Sequence, residues 1–380
     1  MQTLHLHNGR IIAPYREIRD IFFHDGKVAG EARDALGLDP SDHYDLEGDY
    51  LIPGLVELHT DNLEKHFIPR AGVNWPIALS SVVAHDMHMV GAGVTTVFDA
   101  ITVGEPGGRR HRKELFGVSL EGIENADKAN LLRAQHFLHL RCELAGDDVQ
   151  DSIEPLLENP RVRLFSVMDH TPGQRQWHDI ERYKVYHSLQ DAPQSEIDAR
   201  VDSLLALQAK NVGRNLAAIT EMCRQLRFPL ASHDDTTSQH VEENAALGVR
   251  ISEFPTTLEA AQAAKEHGLA VVMGAPNVVR RGSHSGNVAA VDLAREGLLD
   301  ILSSDYMPAS LLHAAFLLPE LTGMPLQKAL ETVTINPAKA VGLHDRGALE
   351  PGKLADAVQV RLVDGVPVVR AVWRQGQRVL

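Results

Sequence analysis

Pro53-Gly54-Leu55-Val56-Glu57-Leu58-His59-Thr60-Asp61-Asn62 is an apolar run that ends in an imidazole and a carboxylate. Leu55–Asp61 reads as a strand, and side chains two apart on a strand share a face, so Glu57, His59 and Asp61 are expected to project together. Seven more apolar runs follow, at Val94–Asp99, Phe137–Glu143, Val162–His170, Phe228–Asp235, Val249–Pro255, Ala270–Pro276 and Leu299–Tyr306. Most are succeeded by a helical segment. Eight βα units in about 260 residues predict a closed (β/α)8 TIM-like barrel. A doubly wound open sheet is the competitor, but no Gly-rich phosphate turn of the dinucleotide or P-loop kind joins a strand to a helix. Gln174–Arg227 exceeds one helix and is expected to hold two, beside the fourth strand.

Outside the alternating region both ends read as strands and turns. His5–Ile12, Ile18–Phe23 and the Asp25-Gly26 turn into Lys27-Val28 stand at one end. Asp356–Val360, the Asp364-Gly365 turn, Val366–Trp373 and Gly376 stand at the other. Chain termini often lie close together, so residues 1–52 and 345–380 are expected to form one small β-sandwich domain beside a barrel of residues 53–344.

The 380 residues are 44% hydrophobic and 23% charged, as in an ordinary globular protein. A formal charge of −14 argues against a nucleic-acid or membrane-surface binder, although a few local arginines could still hold an anionic substrate. Two cysteines, Cys142 and Cys223, cannot build a disulfide framework. With no apparent secretion signal or apolar span, a cytoplasmic setting is expected. Homo-oligomerisation stays open.

Polar groups accumulate where the strand runs end. Strand three offers His139, Arg141 and Glu143 on one face, strand four Asp169-His170, strand five Ser232-His233-Asp234-Asp235, and strand eight Ser303-Ser304-Asp305. A lone histidine there is ordinarily structural, and a lone aspartate ordinarily caps the next helix; Asp99 and Asp234 suit capping. Cys142 faces away from Glu143 and suits packing. Several imidazoles and carboxylates at one barrel end exceed what capping explains. Buried carboxylates call for cations, and imidazole with carboxylate suits Zn²⁺, with Mn²⁺ or Fe²⁺ as alternatives.

Pro53–Asp61 resembles the first barrel strand of the amidohydrolase superfamily, and Gly347–Ala357 resembles the segment that returns such chains to their β-sandwich. Asp61 stands where that pattern usually has a second histidine, and Glu57 where it has aspartate. Longer stretches, among them His59–Lys65, Leu138–Leu144, Met168–Gln176, Ala231–Asp235, Glu253–Thr257, Met273–Asn277, Gly282–Asn287 and Ser303–Tyr306, resemble the α-D-ribose 1-methylphosphonate 5-triphosphate diphosphatases of the carbon–phosphorus lyase pathway. The resemblance implies a phosphorylated-sugar substrate and a metal-dependent diphosphatase. On that footing His59, Asp61, His170 and His233 hold one or two metals, Glu143 bridges, and Asp305 is both ligand and general base. Lys65, Arg70, Arg141, Arg175, Arg280, Arg281 and His284 are the candidates for the substrate's anions. Gly282–Asn287 reads equally as a phosphate cradle or a lid. An amidohydrolase that opens a cyclic amide or deaminates a base, and a non-catalytic scaffold of the same fold, are the rival readings.

Overall fold

The computed structural model describes residues 3–14, 16–31, 37–38, 40–70, 72–104, 106, 110–173, 175, 184, 192–283 and 286–380. Eight parallel strands form its centre: β8 (Leu55–Thr60), β9 (Val94–Val103), β10 (Gln135–Glu143), β11 (Val162–Met168), β12 (Leu230–His233), β13 (Ile251–Glu253), β14 (Ala270–Gly274) and β15 (Ile301–Ser303). They neighbour one another in chain order. Both faces of this sheet are covered, which is why its strands read as near-continuous apolar runs. Val56, Leu58, Phe98, Leu164, Ile251 and Ile301 belong to an inner cluster that fills the barrel's lower half. A larger cluster packs the strands' outer face against the helices, and Cys142 belongs to it. Helix α1 (Asn62–Phe67) follows β8 directly, and α2 (Ala78–Gly91) precedes β9.

Several expected strands are shorter than the apolar runs suggested. Asp234, Phe254 and Asp305 have φ of 58°, 55° and 54°, so the backbone leaves the strand there and turns into the mouth. This left-handed conformation is uncommon for a residue with a Cβ and marks a constrained position. Of the region expected to hold two helices, the described residues include the 33-residue helix Gln194–Leu226 and a helical Lys184; the rest of 176–191 lies outside the described residues.

First and last barrel strands meet at a seam. Thr60 and Asp305 form a lone parallel bridge, with Asp61 N–H donating to Asp305 O at 3.0 Å and Asp305 N–H to His59 O at 3.1 Å. Glu57 stitches the seam below: it accepts from His59 N–H at 2.7 Å, Ser303 Oγ at 2.9 Å and Ser304 N–H at 2.6 Å. Burial pushes its carboxyl up to about 7. Its ring of donors explains a buried acid here without any metal.

The chain ends build the remaining strands: β1 (Thr3–His7), β2 (Arg10–Ile12), β3 (Glu17–Ile18), β4 (Ile21–His24), β5 (Lys27–Gly30), β6 (Asp42–Asp45), β7 (Tyr50–Pro53), β16 (Ala357–Val363), β17 (Val366–Arg374) and β18 (Gln377–Arg378). His5–Ile12 and Ile18–Phe23 each divide between two strands, the first at Asn8, whose φ is 58°. One sheet runs β5-β4-β1-β6 and the other β18-β17-β16-β7-β2-β3, so the second interleaves both termini. Between them lies one core, with Leu6, Ile21, Phe23, Leu51 and Trp373 buried together. Among the described residues no helix is long and apolar enough to cross a membrane.

Candidate metal centre

Three histidines at the barrel mouth share one arrangement. His59 Nδ1 donates to Glu253 Oε1 at 3.2 Å and His233 Nδ1 to Glu253 Oε2 at 3.4 Å. His170 Nδ1 donates to Glu143 Oε2 at 2.7 Å, while its backbone N–H donates to Oε1 of the same residue at 3.0 Å. The opposite nitrogens face other carboxylates. His59 Nε2 stands 3.9 Å from Asp61 Oδ1, and His170 and His233 Nε2 stand 3.7 and 3.6 Å from Asp234 Oδ2. A carboxylate behind Nδ1 fixes tautomer and ring orientation and leaves the Nε2 lone pair for a metal, the usual support of a ligating histidine. The rings are neighbours, with His59–His233 and His170–His233 centroids each 5.6 Å apart.

The Nε2-to-carboxylate gaps are too long for hydrogen bonds. Two donors bound tetrahedrally to one ion at about 2.0–2.2 Å lie about 3.4 Å apart, close to these gaps. Asp234 Oδ2 is moreover buried without a hydrogen-bond partner. A buried, unpaired carboxylate oxygen aimed between two imidazoles is a costly feature that a cation relieves. The residues present therefore fit a divalent metal.

Charge in the mouth is tightly coupled. Burial disfavours a charged His170, but Glu143 and Asp234 outweigh it and raise its pKa to about 9. Burial likewise opposes the charge of Glu253, yet His59 beside it and the hydrogen bonds from the His59 and His233 rings hold it well below the usual carboxylate range. Asp305 is raised, first by burial and then by Asp61. His139 lies deeper. Its Nδ1 donates to Leu58 O at 3.0 Å and its Nε2 meets Ser166 Oγ at 2.8 Å. Burial lowers its pKa to about 3, so it stays neutral. Although His59, His139 and Glu253 could be grouped as ligands by proximity, both nitrogens of His139 are already used.

The structure thus brings His59, Asp61, His170, His233 and Asp305 to one place, with Glu143, the expected bridge, beside them and hydrogen-bonded to His170. Two residues expected to cap helices do otherwise. Asp234 faces the imidazoles, and Thr237 caps the following helix by accepting from His240 N–H. Asp99 accepts from His85 and His136. Glu253 was not among the expected site residues, because a single acid closing a short strand has no spacing signature; its signals were an acid within an apolar run and its place in the Glu253–Thr257 stretch.

The expected substrate cations divide. Arg141 Nη1 donates to Asp61 Oδ1 at 2.8 Å, and its buried Nε has no hydrogen-bond partner. Lys65 Nζ donates to Tyr306 O, which hangs it over the seam. Arg175 Nη1 donates to His233 O at 2.8 Å and to buried Asp235 Oδ1 at 2.7 Å, so it braces the β12 end. Arg70, Arg280 and Arg281 are exposed, Arg281 lying 3.7 Å from Glu320. His284 lies outside the described residues.

A closed parallel barrel with an imidazole–carboxylate centre at its mouth and a two-ended β-sandwich is the architecture of a metal-dependent hydrolase. A profile of the amidohydrolase family matches residues 214–379. Over 341 residues the chain is 48% identical to the α-D-ribose 1-methylphosphonate 5-triphosphate diphosphatase of Escherichia coli (strain K12), covering 88% of this chain and 89% of that one. The chain belongs to the amidohydrolase family and groups with that diphosphatase. Among solved structures, N-isopropylammelide isopropylaminohydrolase from Burkholderia multivorans superposes with a TM-score of 0.62 at 20% identity, covering 100% of this chain and 98% of its own. N-acetyl-D-glucosamine-6-phosphate deacetylase from Mycobacterium smegmatis gives 0.62 at 18% identity, covering 100% of both. At these identities the two speak for the fold alone.

Proposed function

We propose that this chain hydrolyses α-D-ribose 1-methylphosphonate 5-triphosphate to the 5-phosphate and pyrophosphate in phosphonate catabolism. The observation that carries the substrate is the 48% identity with the Escherichia coli diphosphatase across nearly the whole chain. One or two divalent ions, Zn²⁺ first and Mn²⁺ or Fe²⁺ next, would be held by His59, Asp61, His170, His233, Asp234 and Asp305, with Glu143 and Glu253 orienting the rings. When bound, such an ion supplies Lewis acidity that makes water nucleophilic at neutral pH. Asp305 is the proton acceptor, a carboxylate that the seam between the first and last barrel strands holds beside the group that would carry the ion. Arg141 and Lys65 adjoin this group and are the first cations to meet the substrate's phosphates. Arg175 contributes through the strand end it braces. Arg70, Arg280, Arg281 and His284 are reserved for the outer anions of a long substrate. Two buried free thiols, Cys142 and Cys223, and a phosphorylated substrate suit a cytoplasmic enzyme.

The test is pyrophosphate release by the Zn²⁺- or Mn²⁺-loaded protein, measured on ribosyl triphosphates beside neutral cyclic amides and nucleobases. Turnover of the triphosphate with pyrophosphate as product is expected. Efficient opening or deamination of a neutral compound without pyrophosphate release would transfer the assignment to an amide-hydrolysing amidohydrolase.

A further inference from the structure

Outside the mouth, between the outer face of the barrel and α2, runs a second group of buried ionisable side chains. Asp86 and His85 come from α2, Asp99 from β9 and His136 from β10, and all four are fully buried. His136 Nε2 stands 3.2 Å from Asp86 Oδ1 and its Nδ1 2.8 Å from Asp99 Oδ2. His85 Nε2 stands 2.7 Å from Asp99 Oδ1, and its Nδ1 2.9 Å from Asn62 Nδ2. Asn62 Nδ2 also reaches His66 Nε2 at 3.2 Å.

His85, Asp99 and His136 could be taken for a metal site. The spacings decide otherwise. Tetrahedral donors at about 2.0–2.1 Å from one ion lie about 3.4 Å apart, whereas these pairs are at 2.7 and 2.8 Å, hydrogen-bonding distance. Each atom also has a consistent role. The Asn62 amide donates to His85 Nδ1 and His66 Nε2, so His85 carries its proton on Nε2 and donates to Asp99. His136 faces a carboxylate at each nitrogen and donates from both, as an imidazolium. Asp86 also accepts from the backbone N–H of Arg133, at both oxygens, and from that of Ala134, at Oδ1, at 2.9–3.0 Å. The chain of donors and acceptors has one direction and one proton arrangement.

Its end is the barrel seam. Asn62 N–H donates to Thr60 Oγ1 at 3.3 Å, and Thr60 Oγ1 donates to Asp305 O at 3.3 Å. Asn62 follows Asp61 directly and opens α1, the helix that carries Lys65. We infer that Asp86, His136, Asp99, His85 and Asn62 form a positioning relay, which locks the first turn of α1 against the seam and thereby sets the separation of the Asp61 and Asp305 carboxylates. None of the five touches the mouth's imidazoles; they act through Asn62. The role in turnover rests on the hydrolase reading above.

Asn62→Ala removes only the relay's end. His85→Phe keeps the ring's bulk and removes the acceptor for Asn62, while Asp99 keeps its bond from His136, so the buried acid is not stranded. Each is expected to lower kcat about 10–100-fold with KM within about twofold, and to speed loss of bound Zn²⁺ to a chelator about tenfold, as when a ligand's support is removed. The double variant should lose no more than either single one, because both cut one link. Nitrogen NMR of ring-labelled histidine in the intact protein should show His136 protonated at both nitrogens and His85 at Nε2. Additive losses, Zn²⁺ release unchanged in both variants, or a neutral His136 would overturn the relay. Were the protein inactive on ribosyl triphosphates, Zn²⁺ release and the ring spectra would still decide it, separately from the substrate.

Discussion

A carboxylate does different work according to which imidazole nitrogen it meets. Glu253 and Glu143 lie behind the Nδ1 atoms, and Asp61 and Asp234 in front of the Nε2 atoms. Glu253→Gln makes the distinction testable. A glutamine can accept one ring N–H through its oxygen but presents N–H to the other, so either His59 or His233 loses its orienting partner. Metal affinity should fall about 10–100-fold with the fold intact, measured by Zn²⁺ titration against a chelating dye. Asp305→Asn keeps the side chain's size and removes the proton acceptor. It should retain most of the metal and lower kcat about 10²–10⁴-fold; turnover near the parent's would move the base elsewhere. The residues converging on the mouth were legible because His59, His170, His233 and Asp305 each close an apolar run. The division of labour was not, since it depends on ring orientation, which spacing along a strand does not carry. Which ring nitrogen Glu143 and Asp234 face was hidden for that reason.

At the scale of elements, eight apolar runs were enough to indicate a barrel, because parallel strands covered on both faces leave little room for polar alternation. Their ends were overestimated wherever a polar residue turns left-handed, as at Asp234 and Asp305. Close approach of strands was hidden too. A Cβ on Gly54 would fall 2.2 Å from Thr95 Oγ1 and 3.0 Å from Thr95 Cβ. Thr95 is buried and β-branched and cannot swing away. Gly54→Ala should therefore cost about 1–3 kcal/mol by forcing β8 from β9, read as a lower midpoint of chemical unfolding. The contact between α2 and β10 has a pH signature. Burial lowers the His136 pKa, but Asp99 and Asp86 outweigh it and carry it to about 9 from an ordinary 6.5. His85 is the other titratable ring packed on it, 5.5 Å away. A base whose pKa is raised on folding stabilises fully below its unfolded value and loses that contribution as pH climbs through the folded one. Unfolding free energy should decline between about pH 6.5 and 9. His136→Gln should flatten that decline; an unchanged slope would assign it to other groups.

For the whole molecule the question is whether barrel and sandwich unfold together. β7 belongs to the sheet that mixes both termini, yet only Gly54 separates it from β8. It lies between β2 and β16 and pairs with β16 in the register Ala357↔Pro53 to Val360↔Tyr50, so a C-terminal strand helps hold the segment that aims His59. Gly54 N–H donates to Asp356 O at 2.8 Å and Val28 N–H to Lys353 O at 2.9 Å, further ties between distant parts of the chain. Trp373 lies 1% exposed in the core shared by both termini, edge-on to Tyr44 with centroids 5.0 Å apart. Trp373→Ala leaves a large cavity there, and such truncations cost about 3–5 kcal/mol. If β7 and β8 transmit that loss, calorimetry of the variant should show one transition at lower temperature, with Zn²⁺ lost at the same temperature although the substitution lies outside the barrel. Two separated transitions, the later one retaining metal, would mean that the barrel keeps its mouth in order without the sandwich. The interleaved ends would then be a second domain in the energetic sense as well as the architectural one.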